Sequence, residues 1–180
     1  MKPLKIIDNY EVIDNYEVID NFLPKKDFKR LQEILPNQVP FYFQKTITHL
    51  HSESEEDNNF YMTHLLYTWT PDNRPVISSF YPEFKILLDK LDVKSLIRVK
   101  LNLYPRTDSI ETHEKHSDFP YKHKGCLFSL NTCNGSTILE DGTEIKSVAN
   151  RALLFDPSKE HLSTSCTNAK ARLNVNINYF

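Results

Sequence analysis

Ala171-Arg172-Leu173-Asn174-Val175-Asn176-Ile177-Asn178-Tyr179-Phe180 is the cleanest alternation of apolar and polar residues in this 180-residue chain. Successive side chains of a β-strand point to opposite faces. Leu173, Val175, Ile177 and Tyr179 therefore share one face, and Arg172, Asn174, Asn176 and Asn178 share the other. Two settings accommodate such a strand. One is a sheet edge with a wet face. The other is a barrel wall whose polar side chains turn inward, which is costly unless they bind something.

The sequence leading to this strand is also β-rich. After Ser95 it reads as short strands: Ile97 to Pro105, Cys126 to Asn131 and Asn150 to Asp156. Small-residue turns separate them, at Asn134-Gly135-Ser136-Thr137 and at the hairpin signal Glu140-Asp141-Gly142-Thr143. Turns about every 8 to 12 residues suit a double-sheet jelly roll. Earlier in the chain, Pro24 opens a helix with Phe28, Leu31 and Leu35 on one face, and Pro36 is expected to stop it. Val39 to Thr48 reads as β, 51–59 as an acidic solvated loop, and Phe60 to Trp69 as an aromatic strand. A second helix is expected near Pro82, with Phe84, Leu87, Leu88 and Leu91 on one face. The fold class is thus α+β and mainly β: a jelly roll, or double-stranded β-helix, backed on one side by two or more N-terminal helices. We expect one domain over residues 1–180. Residues 1–96 would give support and the substrate region, and 97–180 the catalytic core.

Upstream of Arg172 lie His161 and the triplet His116-Ser117-Asp118. Two imidazoles and one carboxylate are the ligand set of a non-haem Fe(II) site that keeps open positions. On a strand, His116 and Asp118 would point the same way. His161 follows Asp118 by 43 residues, room for several strands, and Arg172 follows His161 by 11. An arginine there can grip a carboxylate with its planar fork. A His-x-Asp is a weak motif in a chain with 7 histidines, so the order of the pieces matters more than the triplet. His113 offers a rival register, but only His116 has an acidic residue two positions on. His64 reads as a packed histidine, and His49 and His51 as surface groups. His123, with Lys122 and Lys124, forms a basic patch that either greets an acidic substrate or is a solvated turn.

Residues 97–180, in this order of strands, triplet, distal histidine and arginine, resemble the catalytic half of the 2-oxoglutarate- and Fe(II)-dependent oxygenases. The flavour is that of the prolyl-hydroxylase branch, in short versions found in phage genomes. The Asn102-x-Tyr104 and Arg172-x-Asn174 pairs also look like the oxoglutarate-binding pairs of the AlkB branch. The resemblance implies that His116, Asp118 and His161 hold Fe(II). It implies that Arg172 meets the far carboxylate of 2-oxoglutarate, with Asn102, Tyr104 and Asn174 also on that co-substrate. O₂ would be consumed, succinate and CO₂ released, and ascorbate would act as a stimulant. Many prolyl hydroxylases use a lysine anchor, so Lys170 stands as a rival to Arg172. The first 96 residues carry no comparable motif.

Bulk properties narrow the classes. Net charge is −2, which gives no electrostatic footprint for nucleic acid and favours a peptidyl or small-molecule substrate. No apolar run approaches the roughly 20 residues of a membrane span. After Met1-Lys2-Pro3-Leu4-Lys5 comes an acidic repeat rather than an apolar stretch, so no secretory signal is expected. The three cysteines, Cys126, Cys133 and Cys166, read as free thiols of a cytoplasmic protein. With only three glycines, tight turns must lean on Asn, Asp and Pro. The N-terminal hexapeptide Ile7 to Val12 is copied as Ile13 to Val18 and begins again at Ile19. Six is even, so each copy keeps the same strand face, and the last is expected to form the lead-in strand. Two other classes compete with a hydroxylase: a non-catalytic jelly-roll binding protein, and a cupin-like metal enzyme that does not use 2-oxoglutarate. The substrate and the oligomeric state have no sequence signal.

Overall fold

The structure, a computed structural model, describes residues 16–45 and 60–180. In chain order its elements are β1 (Tyr16–Ile19), α1 (Lys25–Gln38), β2 (Tyr42–Gln44), β3 (Tyr61–Trp69), β4 (Pro75–Ile77), α2 (Tyr81–Lys90), β5 (Leu96–Pro105), β6 (Lys124–Ser129), β7 (Ser136–Leu139), β8 (Glu144–Lys146), β9 (Arg151–Phe155), β10 (His161–Ser163) and β11 (Ala171–Tyr179). Eight strands form one antiparallel sheet in the order β1-β9-β6-β11-β5-β3-β2, with β4 also on β3. A second sheet, β10-β7-β8, is also antiparallel. This is the expected jelly roll with helical backing.

Alternation sorts each central strand into two faces. Val99 and Leu101 of β5, Val175 and Ile177 of β11, Cys126 and Phe128 of β6, and Ala152 and Leu154 of β9 pack with Phe28, Leu31, Leu35, Phe84, Leu87 and Leu88 of the helices. Phe128 meets Phe22 and Phe28 at 6.0 and 5.9 Å between ring centres. Burying each such side chain contributes about 1.5–3 kcal/mol. A smaller apolar cluster joins the two sheets: Leu139, Leu153 and Phe155, with Tyr16, Val18, Leu127 and Ile145 around them.

Several expected boundaries shift. The first helix runs two residues past Pro36, to Gln38. Proline keeps a helical φ, and here its missing N–H falls in the last turn, where it removes only one bond. Pro24 is the N-cap, and its carbonyl accepts from the backbone N–H of Phe28 at 3.0 Å. Between Val39 and Thr48 only Tyr42–Gln44 is strand among the described residues. Ser136 and Thr137, read as turn, already belong to β7. Asn150, read as strand, sits at φ 65° just before β9, and its side chain exchanges two hydrogen bonds, both 2.8 Å, with the backbone of Leu23. The lead-in strand is Tyr16–Ile19, paired to β9. The first hexapeptide copy, the acidic loop, His49 and His51 lie outside the described residues. Left-handed backbone occurs at Asn21, Asn73, Asp92 and Asn150, and at Gly142 in the β7–β8 turn, as the shortage of glycine demanded.

Candidate metal centre and co-substrate pocket

The β5–β11 ladder fixes the inner face. Arg172 stands opposite Tyr104, Asn174 opposite Asn102, Asn176 opposite Lys100, and Asn178 opposite Arg98. All four cross-strand pairs on this face, eight side chains, are therefore polar, on the side of the sheet away from the helices. Arg172, Asn174 and Asn178 are 1%, 2% and 0% exposed, which excludes the wet-edge alternative for β11.

His116 and Asp118 do not lie on a strand. His116 forms an isolated bridge opposite His161, exchanging backbone hydrogen bonds of 2.9 Å in both directions. Asp118 follows in a bend, its N–H bonded to the carbonyl of Pro157 at 2.9 Å. The polar segment after β5 is held by single bridges to the far side of the barrel, Arg106 to Cys166, Thr112 to Thr164 and His116 to His161, rather than by a ladder. Even so, one potential ligand atom each from His116, Asp118 and His161 lies within 4.8 Å of the others.

The protonation pattern suits a metal. His116 Nδ1 donates to the Glu114 carbonyl at 3.2 Å, and His161 Nδ1 donates to the Lys159 carbonyl at 3.0 Å. Each bond favours the tautomer whose Nε2 carries a free lone pair. Burial, then the neighbouring His161, lowers the pKa of His116 and keeps it neutral. Asp118 accepts from Arg98 at 2.7 Å and from Asn176 at 3.0 Å. Burial opposes its ionisation. The Arg98 guanidinium, with help from His161 and Lys100, outweighs that and holds the carboxyl well below the usual range. With its nitrogen toward Asp118, the Asn178 amide donates to Asp118 at 3.1 Å and to His123 Nε2 at 2.8 Å, and its oxygen accepts from Arg98 at 3.3 Å. His123 is thus a buried support of the site, not part of a basic patch.

Arg172 lies deeper. Its Nε donates to Ser147 Oγ at 2.8 Å, one terminal nitrogen to the Thr164 carbonyl at 3.0 Å, and the other to Thr137 Oγ1 at 2.7 Å. A guanidinium has five N–H groups, so two remain. No carboxylate of the described residues pairs with it; around it stand the Tyr104 ring, at 5.6 Å, the His113 imidazole and the Cys133 and Cys166 side chains. A Cβ on Gly135 would stand 2.9 Å from Arg172 Cδ and 2.4 Å from the Ser165 carbonyl, so glycine there lets the arginine stem pass. Lys170, the rival anchor, precedes β11 and is exposed. Asn102 donates to Asn174 at 2.9 Å, while its own carbonyl oxygen is buried with no partner among the described residues. Tyr104 is sandwiched between Tyr61 (5.4 Å, 13°) and His113 (5.2 Å, 22°). His113, the rejected register, is not in the metal cluster. Its Nδ1 lies 2.7 Å from Ser163 Oγ, and burial, with Arg172 and His116 adding, lowers its pKa to about 4.

Tyr61, Arg98 and Lys100 are site neighbours that motif reading passed over, and His113 and His123 are neighbours that it read in other roles. For two of them a signal existed. Arg98 and Lys100 alternate in step with Asn102 and Tyr104 in the strand beginning at Ile97. His64 packs as expected, between the Pro40 carbonyl and Ser78 Oγ, away from the site.

Solved structures share this architecture. A 2OG-Fe(II) oxygenase family oxidoreductase from Burkholderia pseudomallei superposes with a TM-score of 0.65 at 12% identity, covering 92% of this chain and 85% of that one. A Trichoplax adhaerens prolyl hydroxylase, in complex with a hypoxia inducible factor peptide fragment, gives 0.65 at 16%, covering 93% and 84%. The chain has the fold of the 2-oxoglutarate/Fe(II) oxygenases. The same fold includes the alpha ketoglutarate dependent epimerase SnoN of nogalamycin biosynthesis, at a TM-score of 0.59 and 11% identity, covering 93% and 78%. No protein-family model matches the sequence, and no curated protein matches it. The oxygenase fold is therefore visible here through tertiary structure, and the two Nε2 atoms and the carboxylate are a donor set that fits a divalent iron.

Proposed function

We propose that this protein is an Fe(II)- and 2-oxoglutarate-dependent dioxygenase that hydroxylates a peptidyl residue or a small molecule. The observation that carries this is Arg172: a cation 1% exposed, turned into the barrel on the polar ladder that also supports Asp118, with no carboxylate partner among the described residues. A buried cation left uncompensated costs several kcal/mol, so an anionic ligand is the natural complement.

His116, Asp118 and His161 would hold the metal. Arg172 would take the far carboxylate of 2-oxoglutarate through its two remaining N–H groups, and Asn102, Tyr104 and Asn174 would line the same co-substrate. Bound Fe(II), 2-oxoglutarate and O₂ supply the oxidation: oxoglutarate loses CO₂ and becomes succinate, one oxygen atom of O₂ enters succinate, and the other enters a C–H bond of the prime substrate. Ascorbate would help by keeping the iron reduced. The chain's own work is positioning. Arg98, Asn176 and Asn178 aim Asp118, the Glu114 and Lys159 carbonyls fix the imidazole tautomers, and Phe155 packs edge-on against His161 at 5.1 Å and shields it from water. Three buried, undisulfided cysteines favour a cytoplasmic setting. The test is succinate release from 2-oxoglutarate with Fe(II) and ascorbate, without prime substrate. Wild type should turn over slowly and His116→Ala not at all. Equal succinate from both would rule the proposal out.

A further inference from the structure

The inner face of β5 carries a second cation that the oxygenase function proposed above does not use. Lys100 is half-buried and stands opposite Asn176 on β11 and Leu65 on β3. The residue opposite it, Asn176, donates to Asp118 at 3.0 Å, so Lys100 stands one cross-strand neighbour from the metal cluster. Its one polar contact among the described residues is Tyr61 Oη at 3.5 Å, and its ammonium lies 5.5 Å from the centre of that ring. Tyr61 supplies no counter-charge, because burial and the neighbouring Tyr104 push its hydroxyl up to about 12 and it stays a neutral phenol.

The other charges in the barrel have partners. Arg98 is paired with Asp118. Arg172 is matched to the far carboxylate of oxoglutarate, and the near carboxylate offsets the metal. Lys100 is left as the cation of the inner face with no ion pair of its own among the described residues: Asp118, the carboxylate whose charge it feels, is already held by Arg98. Lys100 does not share the far carboxylate of the co-substrate: Arg172 and Tyr104 lie four residues further along the two strands, roughly 13 Å away at 3.3 Å per residue. Lys100 belongs to the metal end of the ladder, and its neighbour Leu65 is 43% exposed, so this end opens to solvent.

We propose that Lys100 is a specificity residue that binds an oxyanion, carboxylate or phosphate, carried by the prime substrate. A compact ammonium recognises such a group as a point charge rather than a fork. In this half-buried place one charge-assisted hydrogen bond separates an anion from its neutral isostere.

The test uses the anaerobic Fe(II)–oxoglutarate complex of the full chain. Its charge-transfer absorption reports that metal and co-substrate are bound, and titration of small probes is followed by shifts in that band and by paramagnetic broadening of probe resonances. Acetate probes for a carboxylate, methylphosphonate for a phosphate, and acetamide is the neutral control. One or both anions should bind at least about tenfold more tightly than acetamide, the worth of one charge-assisted hydrogen bond. Lys100→Met should abolish that preference, Lys100→Arg should restore it, and oxoglutarate affinity should stay unchanged in Lys100→Met. Acetate or methylphosphonate winning alone identifies the group. Acetamide binding as well as both anions in wild type, or an undiminished preference in Lys100→Met, overturns the inference while leaving the oxygenase function standing. A fall in oxoglutarate affinity in Lys100→Met also overturns it, because Lys100 would then serve the co-substrate. If the wild-type complex shows no charge-transfer absorption, the oxygenase function itself fails.

Discussion

The two faces of the β5–β11 pair share one hydrogen-bond ladder and have opposite characters. On the outer face, Val99, Leu101, Val175 and Ile177 are all 0% exposed beneath the helices. On the inner face, Arg172, Asn174, Asn102 and Asn178 are just as buried, at 1%, 2%, 2% and 0%, but their neighbours are other polar side chains and the metal cluster. Burial alone therefore does not separate core from site. What separates them is whether the buried groups satisfy one another. The outer face is self-sufficient, whereas the inner face leaves Asn102 Oδ1, Arg98 Nε and two N–H groups of Arg172 without protein partners among the described residues.

This contrast is open to direct attack, and the largest effect belongs to the ligand cluster. His116→Ala or Asp118→Ala should abolish Fe(II) binding, measured by calorimetry under anaerobic conditions, while circular dichroism stays close to wild type. Asp118→Ala also leaves Arg98 unpaired, so it should lose more stability than His116→Ala. If His116→Ala kept wild-type iron affinity, the site would not be where the geometry puts it.

An outer-face change should do the reverse. Leu101→Ala opens a cavity under the helices and should cost about 2–5 kcal/mol in denaturant unfolding, yet the fraction still folded should bind Fe(II) as wild type does. A loss of metal affinity in the folded fraction would show that the two faces are coupled.

The inner face should also make stability depend on pH. His113 has a folded pKa of about 4, against about 6.5 for an ordinary histidine. Its depressed pKa favours the neutral form in the folded state. The unfolded chain therefore takes up a proton first as pH falls, and stability drops between about pH 6.5 and pH 4 by something on the order of 3 kcal/mol. His113→Phe keeps a ring in the stack with Tyr104 and should flatten that part of the stability–pH profile. An unchanged slope would mean that other groups set it.

The smallest of these effects is the most diagnostic. Arg172→Ala should weaken 2-oxoglutarate by about 10- to 150-fold, the worth of a charge-assisted bidentate pair of roughly 1.5–3 kcal/mol, with Fe(II) affinity nearly unchanged. Lys170→Ala, at an exposed position before the strand, should change neither. The opposite pattern would move the anchor to Lys170.

Sequence by itself determined the alternation of β11, and with it both faces of the central ladder, because period-2 patterning survives any tertiary arrangement. It also determined the class of fold, the second helix, and the candidates His116, Asp118 and His161, whose order along the chain carried more weight than their spacing. Tertiary structure alone decided how they meet. On a strand the spacing of His116 and Asp118 would put them on one face, but they reach the cluster through an isolated bridge and a bend, and single long-range hydrogen bonds of that kind leave no periodic trace. The roles of Arg98, Lys100, His113 and His123 were hidden for the same reason. A polar residue that looks solvated in sequence becomes part of a site only when another strand or loop, tens of residues away, brings it a charge, a ring or a missing partner.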